Sequence, residues 1–188
     1  MIKKICYFEK QGAGNTDTLL KCVEEYVKRE NIKTVVVASS TGETGAKAAK
    51  ALNDFNVVVV THHHGFVQTG ETELKEEFQK EILKNGGRLF TGTHALSSAE
   101  RAIRKTHGTV EPLELIAYTL RLMGEGTKVC VEVTLMAADA GLIPMNQDVV
   151  AIGGTGSGAD TALLIKPTNA ARLFELRIRE VIAKPNDF

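Results

Sequence analysis

Thr34-Val35-Val36-Val37-Ala38-Ser39-Ser40-Thr41-Gly42-Glu43-Thr44-Gly45 is the stretch that decides the fold. Its first five residues run apolar without period-2 alternation, the mark of a strand buried on both faces of a parallel sheet. A hydroxyl-rich turn then hands the chain to a helix of small residues, Ala46 to Leu52, which can lie close against the sheet. A second continuous strand follows at Val57 to Thr61. Strand, turn, helix and strand make one parallel βαβ unit, with the Thr34 strand at the sheet centre.

The same alternation extends in both directions. Upstream, Ile5 to Phe8 reads as a first strand, and the loop Glu9 to Asn15 leads into a helix capped by Asn15 or Thr16. Leu19, Leu20, Val23, Tyr26 and Val27 form that helix's apolar stripe. Downstream, Leu74, Phe78 and Ile82 predict an amphipathic helix stopped at Asn85-Gly86-Gly87, ahead of a short strand at Arg88 to Thr91. Ser97 and Glu100 have capping-box spacing before a helix to about Lys105, and Pro112 opens another carrying Leu113, Ile116, Ala117 and Leu120. Val129 to Ala140 begins with strand formers but continues with helix formers, and is read as a helix.

Val149 to Ile152 and Thr161 to Ile165 are strands joined by a loop too short for a crossover helix, so they must pair antiparallel. A final helix is expected over Ala170 to Ile182. The pattern predicts one α/β domain over residues 1–188, an open, mostly parallel doubly wound sheet with its last core strand antiparallel and an extra N-terminal strand. Where that first strand joins the sheet is left open.

Composition narrows the function. Lys plus Arg and Asp plus Glu are 23 each, so no broad positive field exists to attract nucleic acid or an anionic membrane. Three cysteines, Cys6, Cys22 and Cys130, lack a CxxC partner and fit buried thiols in a reducing, cytoplasmic compartment. Apolar runs are short, and neither a membrane span nor a signal peptide is expected.

The turn Ser39 to Gly45 carries the strongest chemical signal. At a strand's carboxyl end, unpaired amides and the helix dipole face outward, and Ser39, Ser40, Thr41 and Thr44 offer more hydroxyls than one cap requires. Anion binding is therefore expected. Gly153-Gly154-Thr155-Gly156-Ser157-Gly158 is a second candidate, although a strand rather than a helix follows it, which disfavours a nicotinamide site. Its plain reading is a flexible hairpin turn, and no Gly-Lys-Ser/Thr ending marks a nucleoside triphosphate loop.

Three adjacent histidines, His62-His63-His64, cannot all grip one ion from an extended chain, so no metal is expected. His63 or His94, each at a strand end, is a candidate ligand contact or acid-base group. Glu132 and Asp139, seven apart, share a face if their segment is helical, and each reads equally as a buried tether. No Ser-His-Asp or Cys-His arrangement is readable from spacing.

Taken together, the Ser39 to Thr44 turn, Tyr7-Phe8-Glu9-Lys10, His63, Gly65-Phe66, His94-Ala95-Leu96-Ser97, Val129-Cys130-Val131-Glu132, Met136-Ala137-Ala138-Asp139 and Gly-Ala-Asp-Thr resemble the C-terminal α/β domain of pyruvate kinase. They are more closely similar to stand-alone archaeal proteins of that fold. The resemblance implies a three-layer α/β/α domain of core order 3-2-1-4-5, in which both candidate loops meet in one crevice. In pyruvate kinase the corresponding loops form an allosteric sugar-phosphate site. The archaeal relatives look like flavin mononucleotide (FMN) binders.

Carried over, Ser39, Thr41, Gly42 and Thr44 would hold the phosphate, with Ser40 and Glu43 of the same turn also cofactor-binding. His63, Gly65 and Phe66 would border the ring, and Thr61, His94, Gly154, Thr155 and Gly156 are further cofactor-binding candidates. The expectation is an FMN-binding protein, with a flavin-dependent oxidoreductase as one extension and a non-catalytic sugar-phosphate or nucleotide sensor as the alternative. A small hydrolase or isomerase using His63 or His94 is a third reading. The expected partner is a phosphorylated small molecule, with a homo-oligomer left open.

Overall fold

The structure, a computed structural model, describes residues 3–188. Seven strands form one sheet: β1 (Cys6–Lys10), β2 (Thr34–Ala38), β3 (Asn56–Thr61), β4 (Arg88–Thr91), β5 (Val149–Gly153), β6 (Thr161–Lys166) and β7 (Arg177–Asp187). Their order is β1-β7-β6-β5-β2-β3-β4. Counted from β2, the run β4-β3-β2-β5-β6 is the expected 3-2-1-4-5 core, with β6 antiparallel to β5. The first strand finds its place at the far edge, parallel to β7.

Six helices cover the two faces: α1 (Thr16–Arg29), α2 (Glu43–Ala51), α3 (Glu76–Lys84), α4 (Ser98–His107), α5 (Pro112–Arg121) and α6 (Glu125–Asp139). On one face Leu19, Val23 and Val27 of α1, Ala46 and Ala49 of α2 and Ile82 of α3 pack on Val35, Val37, Val57 and Val59. On the other, Val36, Val58, Ala151 and Leu163 meet Cys130, Val133 and Ala137 of α6. Alternate residues of each central strand thus feed opposite cores, which is why these strands read as unbroken apolar runs. Among the described residues no helix is long and apolar enough to cross a membrane.

The stop at Asn85-Gly86-Gly87 has the expected chemistry. Gly87 N–H bonds Ile82 O at 2.9 Å and Gly86 N–H bonds Leu83 O at 3.1 Å, the paired bonds that satisfy a helix's last carbonyls. Two other expected caps take different forms. Ser97 makes no side-chain cap bond. Glu100 instead reaches forward, where its Oε2 accepts Leu113 N–H at 2.9 Å and caps α5. Asn15 likewise turns away from the α1 amides and donates Nδ2 to Lys10 O at 2.8 Å.

The expected helix over Ala170 to Ile182 is corrected by the structure. Only Ala170–Glu175 is helical, as a short 3-10 segment, and β7 begins at Arg177. The segment's helix formers are overridden by sheet completion, since β7 bonds β6 on one side and β1 on the other. Tyr26 Oη, donating to Glu180 Oε2 at 2.8 Å, ties this strand to α1.

The small-residue helix α2 does lie tight on the sheet. A Cβ at Gly45 would sit 2.4 Å from Val59 Cγ1 and 3.2 Å from Ile82 Cδ1. Gly45→Leu is expected to lower stability by about 1–3 kcal/mol through overpacking, read as a reduced urea midpoint at unchanged m-value.

Candidate functional site

The strand order reverses at β2 and β5, and a crevice of about 610 Å³ opens beyond their carboxyl ends. Ser40, Thr41, Glu43 and Thr44 from the turn before α2 form one lip. Ser39 is buried, and its Oγ accepts Gly45 N–H at 3.0 Å, so this hydroxyl serves as the cap. Gly42 is the N-cap residue, with its carbonyl accepting Ala46 N–H at 2.8 Å, and it does not line the crevice. Among the described residues the Thr44 amide has no partner, and the Glu43 amide has only a long 3.5 Å contact to Thr41 Oγ1. Lys47, one turn further along, lines the same lip 3.4 Å from Glu43 Oε1 and balances that carboxylate.

Gly154, Gly156, Ser157 and Gly158 form the facing lip. Their loop is pinned, in contrast to the flexible turn that its composition predicts. Asp160, wholly buried, accepts Gly12 N–H at 2.9 Å and the Thr161 hydroxyl at 2.7 Å, while Thr16 Oγ1 accepts Ala159 N–H at 2.9 Å. Gly158 holds φ +70°, and a Cβ there would meet Ala13 Cα at 2.4 Å, so the loop rests directly on the β1–α1 connection. Thr155 lies off the crevice, with Oγ1 buried and unpartnered among the described residues.

Aromatic rings floor the space between the lips. His62 and Phe66 have centroids 3.9 Å apart, and Phe66 and His94 5.0 Å apart, all three on the crevice wall. His63 packs behind them, 5.5 Å from Phe66, and gives its Nδ1 proton to His64 O at 2.6 Å. The crevice is therefore faced by His62 where the resemblance implies His63. Gly65 stays outside, donating its N–H to Glu71 O at 2.8 Å. Thr61 lines the floor, its Oγ1 2.6 Å from Thr91 Oγ1 across the β3–β4 pair. His62 also sits in a hydrogen-bonded row, with Nε2 3.1 Å from Ser40 Oγ and Nδ1 2.6 Å from Glu73 Oε2.

The opposite wall comes from α4, α5 and α6. Arg101 lies over the Phe66 ring at 4.6 Å. Arg104 pairs with Glu114 at 2.9 Å and Arg121 with Glu125 at 2.5 Å. Buried Glu132 accepts from Lys128 and, through Oε1, from Leu96 N–H at 3.0 Å, so it tethers the β4–α4 connection. Asp139 has a separate structural task, since its Oδ1 accepts from Asn169 Nδ2 and Ala170 N–H, each at 3.0 Å. Cys130 lies off the crevice, its Sγ donating to Ala151 O at 3.3 Å, and burial pushes its thiol well above the usual range.

Spacing gives no warning of His62, Glu73, Arg101 or Asp160 as site or scaffold residues. His62 had one available signal, its position immediately after the β3 residue Thr61. Asp160 is embedded in Gly158-Ala159-Asp160-Thr161, a pattern that marks the loop but not the buried acceptor.

His94 is nearly enclosed, and burial depresses its pKa from 6.5 to about 4, outweighing Glu132, whose carboxylate acts in the opposite direction from 4.0 Å. The fold therefore holds the neutral ring. Its contribution is complete above the unfolded value and is lost as pH falls from about 6.5 towards 4, because the unfolded chain takes up that proton first. The unfolding free energy from urea titrations should drop over this window by at most about 3 kcal/mol, less where solvent screens the ring, and His94→Gln should flatten the drop.

The sequence profile of the family described as "Pyruvate kinase, alpha/beta domain" matches residues 17–165. Among solved structures, a pyruvate kinase from Cryptosporidium parvum is similar at 13% identity and a TM-score of 0.40, covering 82% of this chain and 24% of that one. The same enzyme in complex with ADP gives 14% identity, a TM-score of 0.39, and coverage of 82% and 24%. O-ureido-L-serine synthase gives 18% identity and a TM-score of 0.32 over 72% of this chain and 50% of that one. The chain thus spans about a quarter of the length of the pyruvate kinase structures it matches. Because the family profile spans well over half of the sequence, through both lips of the crevice, the chain belongs to the pyruvate kinase alpha/beta domain family.

Proposed function

We propose that the chain binds a phosphorylated small molecule, and FMN in particular, in the crevice between the Ser40 to Thr44 turn and the Gly154 to Gly158 loop. The observation that carries this reading is the convergence of the two stretches, more than a hundred residues apart in sequence, on one cavity of about 610 Å³. That size is in the range of small-molecule sites. The open Glu43 and Thr44 amides at the α2 N-terminus, with the Thr41 hydroxyl and Lys47, suit a phosphate.

The residues present fit the rest of the group as well. His62, Phe66 and His94 offer an aromatic shelf of the kind a planar ring stacks on. Across from it, Glu114 keeps Oε2 buried without a partner among the described residues, an acceptor suited to a ring N–H or a sugar hydroxyl. A bound flavin would supply one- and two-electron transfer. The chain's own part is to hold the phosphate, seat the ring and exclude water from the Phe66 side. A flavin-dependent oxidoreductase is the extension of this reading, in keeping with the resemblance to archaeal stand-alone FMN proteins.

Family membership favours a second reading, a sensor for a sugar phosphate or nucleotide, because the same two loops would bind such a ligand without any redox step. Freshly purified protein is expected to be yellow, or to quench the fluorescence of added FMN at micromolar concentration, with riboflavin binding at least about tenfold more weakly for want of the phosphate. A colourless protein whose melting temperature rises with sugar phosphates but not with FMN would select the sensor. No response to any phosphate compound would end both readings.

A further inference from the structure

We propose that Ser40, His62 and Glu73 form a nucleophile relay, and that the crevice hydrolyses small carboxylic esters of aromatic alcohols through an acyl-Ser40 intermediate. Glu73, as a carboxylate, can only accept, so the His62 Nδ1 that lies 2.6 Å from its Oε2 must carry the proton. In the neutral ring this leaves Nε2 as the acceptor. Ser40 Oγ, 3.1 Å away, therefore donates to it. This is the order of roles that activates a serine: hydroxyl, base, then orienting carboxylate.

The surroundings are those such a row needs. Ser40 and His62 face the crevice, whereas Glu73 lies behind the imidazole and off the cavity wall. Phe66 packs on His62 with centroids 3.9 Å apart and a 31° tilt between the rings, which restricts the imidazole's movement. Ser40 sits between β2 and α2, the strand-to-helix turn that presents nucleophiles in other α/β folds. With Ser39 Oγ already engaging the Gly45 amide, the Glu43 and Thr44 amides remain for a developing oxyanion. The His62-Phe66-His94 shelf suits an aromatic leaving group.

In the reaction Ser40 Oγ bonds to the carbonyl carbon as its proton passes to His62 Nε2. The ester C–O bond then breaks, and the departing alkoxide takes that proton. Water attacks the acyl carbon and gives a proton to Nε2. The Ser40 C–O bond breaks, the carboxylic acid leaves and Ser40 recovers the proton, so no oxidant or other co-reactant is required.

The test is labelling of the full chain with a fluorophosphonate, read by intact mass and by peptide mapping. One phosphonyl group on Ser40 is expected, with none on Ser40→Ala. The labelling rate should fall by on the order of a hundredfold in His62→Gln and substantially in Glu73→Gln, with Glu73→Asp recovering part of it. Circular dichroism checks that each variant is folded. An unlabelled native protein, modification at a residue other than Ser40, or equal rates in folded His62→Gln would overturn the proposal. Because FMN would cover the same amides and shelf, labelling is run on colourless protein with and without added FMN: labelling that FMN slows supports both readings, and no labelling in the absence of FMN overturns the relay alone.

Discussion

Parallel pairing of β2 on both of its edges is the constraint on which the rest depends. Val35, Val36 and Val37 are fully buried, register with Val57 to Val59 on one side and with Val150 to Ile152 on the other, and feed two cores. Because strand order reverses there, the chain leaving β2 turns into α2 on one face while α6 covers the other, and a crevice opens beyond the strand ends. A crevice at that place follows from topology, and chemistry settles there because helix N-termini and strand-end loops supply unpaired amides.

Open amides alone would make a soft site. Buried polar tethers stiffen it: Asp160 holds the Gly12 amide and the Thr161 hydroxyl, Thr16 holds Ala159, and Glu132 holds Leu96 together with Lys128. Each is satisfied twice over or paired, which offsets the cost of removing a charge from water. The arginines of the far wall are mostly matched one to one by glutamates, so the crevice is locally polar without a large net field.

Much of this was legible because burial on two faces leaves a plain mark. The valine runs at β2 and β3 and the short loop between β5 and β6 predict the core order once a parallel sheet is assumed. Local composition misleads where tertiary pairing decides, as at Arg177 to Ile182, whose helix formers become a strand because β6 and β1 both lack a partner there. Capping patterns fail for a related reason: Glu100 has the spacing to serve Ser97 but a better-placed acceptor role at Leu113. Side-chain direction after a strand end is not periodic, so tertiary packing alone decides that His62 rather than His63 faces the crevice with Glu73 behind it. The turn and the glycine-rich loop could each be singled out in sequence. Their meeting is a property of the sheet.

Backbone amide NMR during a titration with FMN tests that meeting most directly. The account predicts that Thr41, Glu43 and Thr44 on one lip and Gly154, Gly156 and Gly158 on the other shift together and saturate at one common concentration. Shifts confined to a single lip, or two lips saturating at different concentrations, would contradict a shared pocket.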